Sequence, residues 1–272
     1  MKMRTTPIAL VSIFLLGNLY ASAQKLPAVQ KASVYAPVGI KIDGRGTEWT
    51  GKYQAKNSAT LLTYVMSNDD ENLYLTIQAE GTAALGKIFH GGISLLVKNK
   101  VDKNAKPVRI TYPLVTVTER SDIVIPLRDK DNNIDSVMIA VNQAIGKSAK
   151  KIAIEGIDEI TDPDVSVYND LGLKAAVEVD ATRTMTFEYK VPLKYIKHLM
   201  DATSTFDYSI IVNGVKLEKN SVVVAGSAIG GGGASFSGGG GGGAPMSVTI
   251  SPVGGDIFSP TDLKATYTLA KK

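Results

Sequence analysis

Three features predict an all-β fold built as an antiparallel two-sheet β-sandwich. Apolar and polar residues alternate in segment after segment, turn-forming clusters separate those segments, and helical spacing is sustained at one place only. The clearest strand sets Met185, Phe187, Tyr189 and Val191 against Thr186, Glu188 and Lys190. With 272 residues, 44% hydrophobic and 21% charged, the chain is no wholesale disordered protein and is long enough to bury a substantial core. The lack of cysteine excludes disulfide cross-links, thiol catalysis, Cys-ligated zinc, iron–sulfur clusters and lipid attachment through a cysteine.

In chain order, residues 1–23 read as a secretory signal peptide. Lys2 and Arg4 precede the apolar run Ile8 to Leu16, and Ala21-Ser22-Ala23 supplies a small-residue cleavage site. That run is far short of the roughly 20 residues needed to span a bilayer. The protein is therefore expected to be exported to the periplasm or beyond, not a lipoprotein, with no transmembrane segment in its mature chain. Residues 24–37 form a lead-in, and 38–272 a single sandwich domain.

Strands are expected at Val38 to Ile42, Leu61 to Met66, Leu73 to Ala79, Ile93 to Val97, Val108 to Tyr112 and Ile152 to Ile154. Further strands follow at Leu173 to Val179, Met185 to Val191, Phe206 to Val212, Ser247 to Ile250 and Lys264 to Leu269. Between them lie turns such as Ser67-Asn68-Asp69-Asp70 and Asn213-Gly214. Ile134, Val137, Met138, Val141 and Ile145 make one helical stripe, with Asn132 or Asn133 capping its start and Gly146 its end. A second short helical piece follows Pro192. Many strands with one or two short helices suit an immunoglobulin-like or jelly-roll-like arrangement. Gly230 to Gly243 holds ten glycines in fourteen residues, so 226–245 reads as a disordered glycine-rich loop interrupting the domain.

Chemistry-bearing motifs are scarce. The two histidines, His90 and His198, are too few for a histidine zinc site, and neither accompanies a nucleophile elbow. Gly146-Lys147-Ser148 resembles the end of a phosphate loop, but Val141 stands where its first glycine belongs. Asp129, Asp131, Asn133 and Asp135 are spaced like calcium-loop ligands. Ile134 and Ala140 replace the turn glycine and closing glutamate, so an EF-hand is rejected and only a looser calcium site is kept as a candidate. A carboxylate pair for glycoside hydrolysis would come from Glu48, Glu155, Glu178 and Glu188, which lie in or beside strands. Glu188 is expected to face solvent opposite Phe187 and Tyr189. Removing Lys2 and Arg4 leaves 28 basic residues against 26 acids, with no concentrated basic face for nucleic acid.

Ile42-Asp43-Gly44 followed by Glu48-Trp49 resembles the opening signature of family 9 carbohydrate-binding modules and the wider DOMON-like sandwiches. Asn68 to Leu75, Gly172 to Ala176 and Phe187 to Leu193 are similar to later turns and strands of those domains, in the same order. The resemblance implies a sandwich that binds a sugar or another small ligand without catalysis. Sugar-binding members stack their ligand between exposed aromatic faces, typically tryptophans. This chain has one, Trp49, which beside the Asp43-Gly44 turn also reads as a packing plug. Tyr53, Tyr112 and Tyr168, near loops or strand ends, are the candidate substitutes. Some relatives hold haem through Met with His or Lys; haem is not expected here, and no other cofactor is.

The expected function is thus an exported, non-catalytic ligand-binding protein, with a glycan the favoured ligand. The alternatives are a structural or assembly protein of the cell envelope with a protein partner, and a glycoside-acting enzyme using a carboxylate pair.

Overall fold

Side chains that alternate along the sequence converge on a space between two antiparallel sheets in the computed structural model. It describes residues 25–80, 87–89, 91–116, 134–214, 221–224, 234–238, 247–250 and 258–272. The first sheet has five strands, in the order β1 (Ala55–Asn57), β2 (Leu62–Asn68), β3 (Asn72–Ala79), β9 (Met185–Pro192) and β8 (Lys174–Val179). The second has six, in the order β14 (Thr261–Thr268), β10 (Thr205–Val212), β4 (Ile93–Lys98), β5 (Val108–Tyr112), β6 (Lys151–Glu155) and β7 (Asp164–Ser166). The fold is an all-β, two-sheet antiparallel sandwich with a few helical pieces: α1 (Ile134–Ser148) and 3-10 turns that include Leu193–Tyr195 and Lys197–Leu199 after Pro192.

Tyr64, Ile77, Phe187 and Tyr189 of the first sheet and Leu95, Val97, Tyr208 and Ile210 of the second are buried in the core. Burying a tyrosine is tolerable only when its hydroxyl finds a partner. Tyr64 and Tyr208 pair hydroxyl to hydroxyl at 3.0 Å, and the Tyr189 hydroxyl is shared between the carbonyls of Ile93 and Tyr112 at 3.1 and 2.9 Å. These bonds tie the sheets together as well as satisfying the buried oxygens.

One open side of the sandwich is closed by the lead-in. Gln30 is 4% exposed, and its carboxamide accepts the Met66 N–H at 2.7 Å while donating to the Met66 carbonyl at 2.8 Å. Asn68 at the end of β2 accepts from the Ala270 N–H at 2.7 Å and from the Tyr267 hydroxyl at 3.1 Å. The lead-in, β2 and β14 are laced together there.

The outer face of the first sheet is covered too. Thr76, Thr186 and Glu188 point away from the core yet are buried, because residues 40–53 fold across them. Trp49, 3% exposed in the 3-10 turn Thr47–Trp49, belongs to this covering segment and stands outside the inter-sheet core.

Several expectations change. Val38 to Ile42 is not a strand: Val38 is fully exposed, and Gly39 sits at φ 79, a conformation that breaks an extended run. Gly146 does not end the helix; the Ala149 N–H still donates to the Ile145 carbonyl at 2.7 Å and α1 runs on to Ser148. Within 226–245, Ala234–Gly238 (β12) pairs antiparallel between β11 (Ser221–Val224) and β13 (Ser247–Ile250), forming a third, three-stranded sheet; the rest of the glycine tract lies outside the described residues. Residues 1–23, expected to be a signal peptide, lie outside them as well. Among the described residues, no helix is long and apolar enough to cross a membrane.

Candidate functional site

Among the described residues strand β8 ends the first sheet, and only β9 pairs with it. Its far side meets the last turns of α1, and a groove of about 560 Å³ opens between them. One wall is Lys174 to Val177 of β8, another is Gly146 and Ala149 at the end of α1. Ile42 and Asp43 close one side, Val167 to Asn169 after β7 another, and Tyr112 at the end of β5 also lines it. The volume falls in the range of small-ligand sites, about 300–1,000 Å³.

Three local features shape the groove. Gly146 has no side chain, and a Cβ there would meet nothing within 4 Å. Asn142, one helical turn earlier, pins α1 to β8: its carboxamide accepts the Val179 N–H and donates to the Val179 carbonyl, both at 2.9 Å. The Asp43-Gly44 turn is fixed by Glu188 Oε2, which accepts the N–H of Asp43 at 3.0 Å and of Gly44 at 2.8 Å.

Glu188 overturns its expected position. It is 1% exposed, because the turn lies over it. Burial pushes its carboxyl from the usual 4.5 up to about 7, against the pull of the two N–H donors and with a smaller push from Asp43 and Glu48. Nearby, Arg45 pairs with Glu178 at 2.9 Å on the exposed rim of the turn. Glu155 is exposed and faces Arg109 at 3.7 Å, so Glu155 and Glu188 are held in different sheets and settings.

Of the aromatic candidates, Tyr112 and Tyr168 come together in this groove, whereas Tyr53 and Trp49 do not line it. Tyr168 is 80% exposed. Tyr112 is buried: its ring meets Tyr189 edge-on at 6.1 Å, its hydroxyl donates to the Ala149 carbonyl at 3.1 Å, and burial, then Tyr168, raises its pKa. Tyr53, the last residue of the covering segment, lies near Gly46 and Glu188, its hydroxyl buried with no hydrogen-bond partner among the described residues. Burial first, and the Glu188 charge second, holds that hydroxyl neutral.

Of the calcium candidates, only Asp135 is described; it sits exposed in the first turn of α1, where a negative charge favours the helix N-terminus, while Asp129, Asp131 and Asn133 lie outside the described residues. No group of three or more potential metal ligands occurs among the described residues. Sequence reasoning took Gly146 for the helix end and missed Asn142 and the β8 edge, because alanine and valine carry no chemical signature and asparagine is common in turns. No protein-family model matches this chain, nor does any curated protein or solved structure.

Proposed function

We propose that the protein is an exported, non-catalytic binding protein that takes a carbohydrate in the groove beside β8. The observation that carries this reading is the exposed ring of Tyr168 at the rim of a groove that also presents Asp43, Asn169 and Lys174. A flat aromatic face suits the C–H face of a pyranose, and a few polar groups around it suit the hydroxyls. The ordered likeness of Ile42-Asp43-Gly44, Glu48-Trp49 and Phe187 to Leu193 to carbohydrate-binding sandwiches points the same way. A clamp of two tryptophans plays no part here, since the single tryptophan is buried; the platform is Tyr168.

Affinity electrophoresis through a panel of polysaccharide gels tests the reading. At least one polysaccharide should retard the protein, and Tyr168→Ala should weaken that retention about tenfold. Tyr53→Ala should leave it unchanged, because that ring lies outside the groove. Free migration through every gel, or equal retention of the Tyr168 variant, would refute the proposal.

A further inference from the structure

The exposed ring accounts for stacking but leaves the β8 wall of the groove unused. Along an antiparallel edge strand, successive residues direct their N–H and C=O alternately toward the partner and away from it. Val179 directs both away from β9, since both bond to Asn142 at 2.9 Å. Pairing of β8 with β9 is unbroken from Lys174↔Lys190 to Val179↔Met185, so Ala175 and Val177 direct theirs outward as well. At the other end of the edge, the Leu173 carbonyl accepts from Asn169 Nδ2 at 2.8 Å. Two asparagine carboxamides therefore close the edge at Leu173 and Val179. Between them Ala175 and Val177 line the groove and have no outward hydrogen-bond partner among the described residues. Ala175 is 8% exposed, with its side chain in the inter-sheet core.

We infer that this short window of β8 reads the vicinal diol of a pyranose, one hydroxyl donating to an edge carbonyl while its neighbour accepts the edge N–H. Asn142 already demonstrates the pattern one rung along, with a donor and an acceptor side by side on Val179. A gauche diol offers the same pair of functions on adjacent atoms. The inference rests on the carbohydrate reading above and adds the element that would select among sugars. A partner β-strand fits less well: the window spans two outward rungs, about 7 Å, with asparagine side chains at both ends, and strands usually pair over five or six residues.

The amide resonances of Ala175 and Val177 in the ¹⁵N-labelled protein report on the window directly. Methyl β-glucopyranoside and trans-cyclohexane-1,2-diol should shift both amides, while cyclohexanol at equal concentration leaves them in place. Gly146→Phe, whose ring enters the open space beside the edge, should abolish the shifts. Val177→Pro removes one outward donor at an edge position where proline is tolerated, and should weaken polysaccharide retention about tenfold. Should that variant fold poorly, the shifts in the unaltered protein still decide.

Equal shifts from cyclohexanol and the diol would mean mere apolar contact and overturn the inference, and so would shifts from acetamide but not from the diol. A glucoside that moves Tyr168 while leaving both amides unmoved would overturn it and keep the carbohydrate reading. If no sugar perturbs the groove and no polysaccharide retards the protein, both fall.

Discussion

Glu188 occupies a position that the β9 sequence marks as outward, alternating with Phe187 and Tyr189, yet it is among the most buried residues in the chain. Its carboxyl is held at about 7 rather than 4.5, so the folded state binds that proton more tightly than the unfolded state does. The contribution to stability is complete below about pH 4.5, declines as pH rises, and is lost as pH passes about 7. The difference is on the order of 3 kcal/mol. Urea denaturation across that window should show the midpoint falling with rising pH. Glu188→Gln, which keeps an acceptor for Asp43 and Gly44 but cannot ionise, should flatten the decline. An identical pH profile in the variant would assign the effect to other groups. Alternation revealed that the strand has two faces; that a second layer covers the outer one could not be read from it, because the cover comes from residues 40–53, far away in sequence.

Among elements, the twin turns before β9 and β10 show local sequence prevailing. Asp180-Ala181-Thr182-Arg183-Thr184 and Asp201-Ala202-Thr203-Ser204-Thr205 repeat one pattern and adopt one geometry. In each, the aspartate Oδ1 accepts the N–H and hydroxyl of the first threonine and the N–H of the second, and the intervening residue, Arg183 or Ser204, takes a positive φ of 64 or 59. Two glycines show the opposite case, where context decides what the residue is for. Gly44 sits at φ 86 with the backbone of Val177 and Glu178 2.6 Å from where a Cβ would be, so the turn rests directly on β8. Gly44→Ala is expected to cost about 2 kcal/mol or more, through clash and strain together. Gly146→Ala, in the helix with open space around it, should stabilise by up to about 1 kcal/mol. Chemical denaturation followed by Trp49 emission compares the two; similar effects from both would contradict the packing described. The sequence marks Asp43-Gly44 as a turn but gives no sign that the turn leans on an edge strand.

For the molecule as a whole, the lead-in is a structural member of the sandwich. Gln30 supplies Met66 with the two hydrogen bonds that a neighbouring strand would otherwise provide, and its own N–H donates to the Tyr64 hydroxyl at 3.0 Å. Gln30→Ala should leave the Met66 N–H and carbonyl buried without partners and lower stability by about 2–3 kcal/mol. Thermal unfolding measures the loss, and Gln30→Ala melting with the parent would show that the lead-in is only draped there. Short strands escaped sequence reading for a related reason. Ala55–Asn57 and Asp164–Ser166 are three residues each, too brief for a period to register, and they exist because a neighbouring strand offers them partners.

What the sequence determined by itself is what depends on neighbours along the chain. The two-faced strands β3, β9 and β10, the apolar stripe of α1 and the Asp-Gly turn all follow from side-chain period and backbone preference acting over a few residues. The tertiary structure alone decided which surfaces would be covered and which left open. The burial of Glu188, the closing of one side by Gln30, and the groove between Gly146 and the β8 edge each join residues far apart in sequence. Local periodicity fixes the direction in which a side chain points, whereas burial depends on which distant segment packs there.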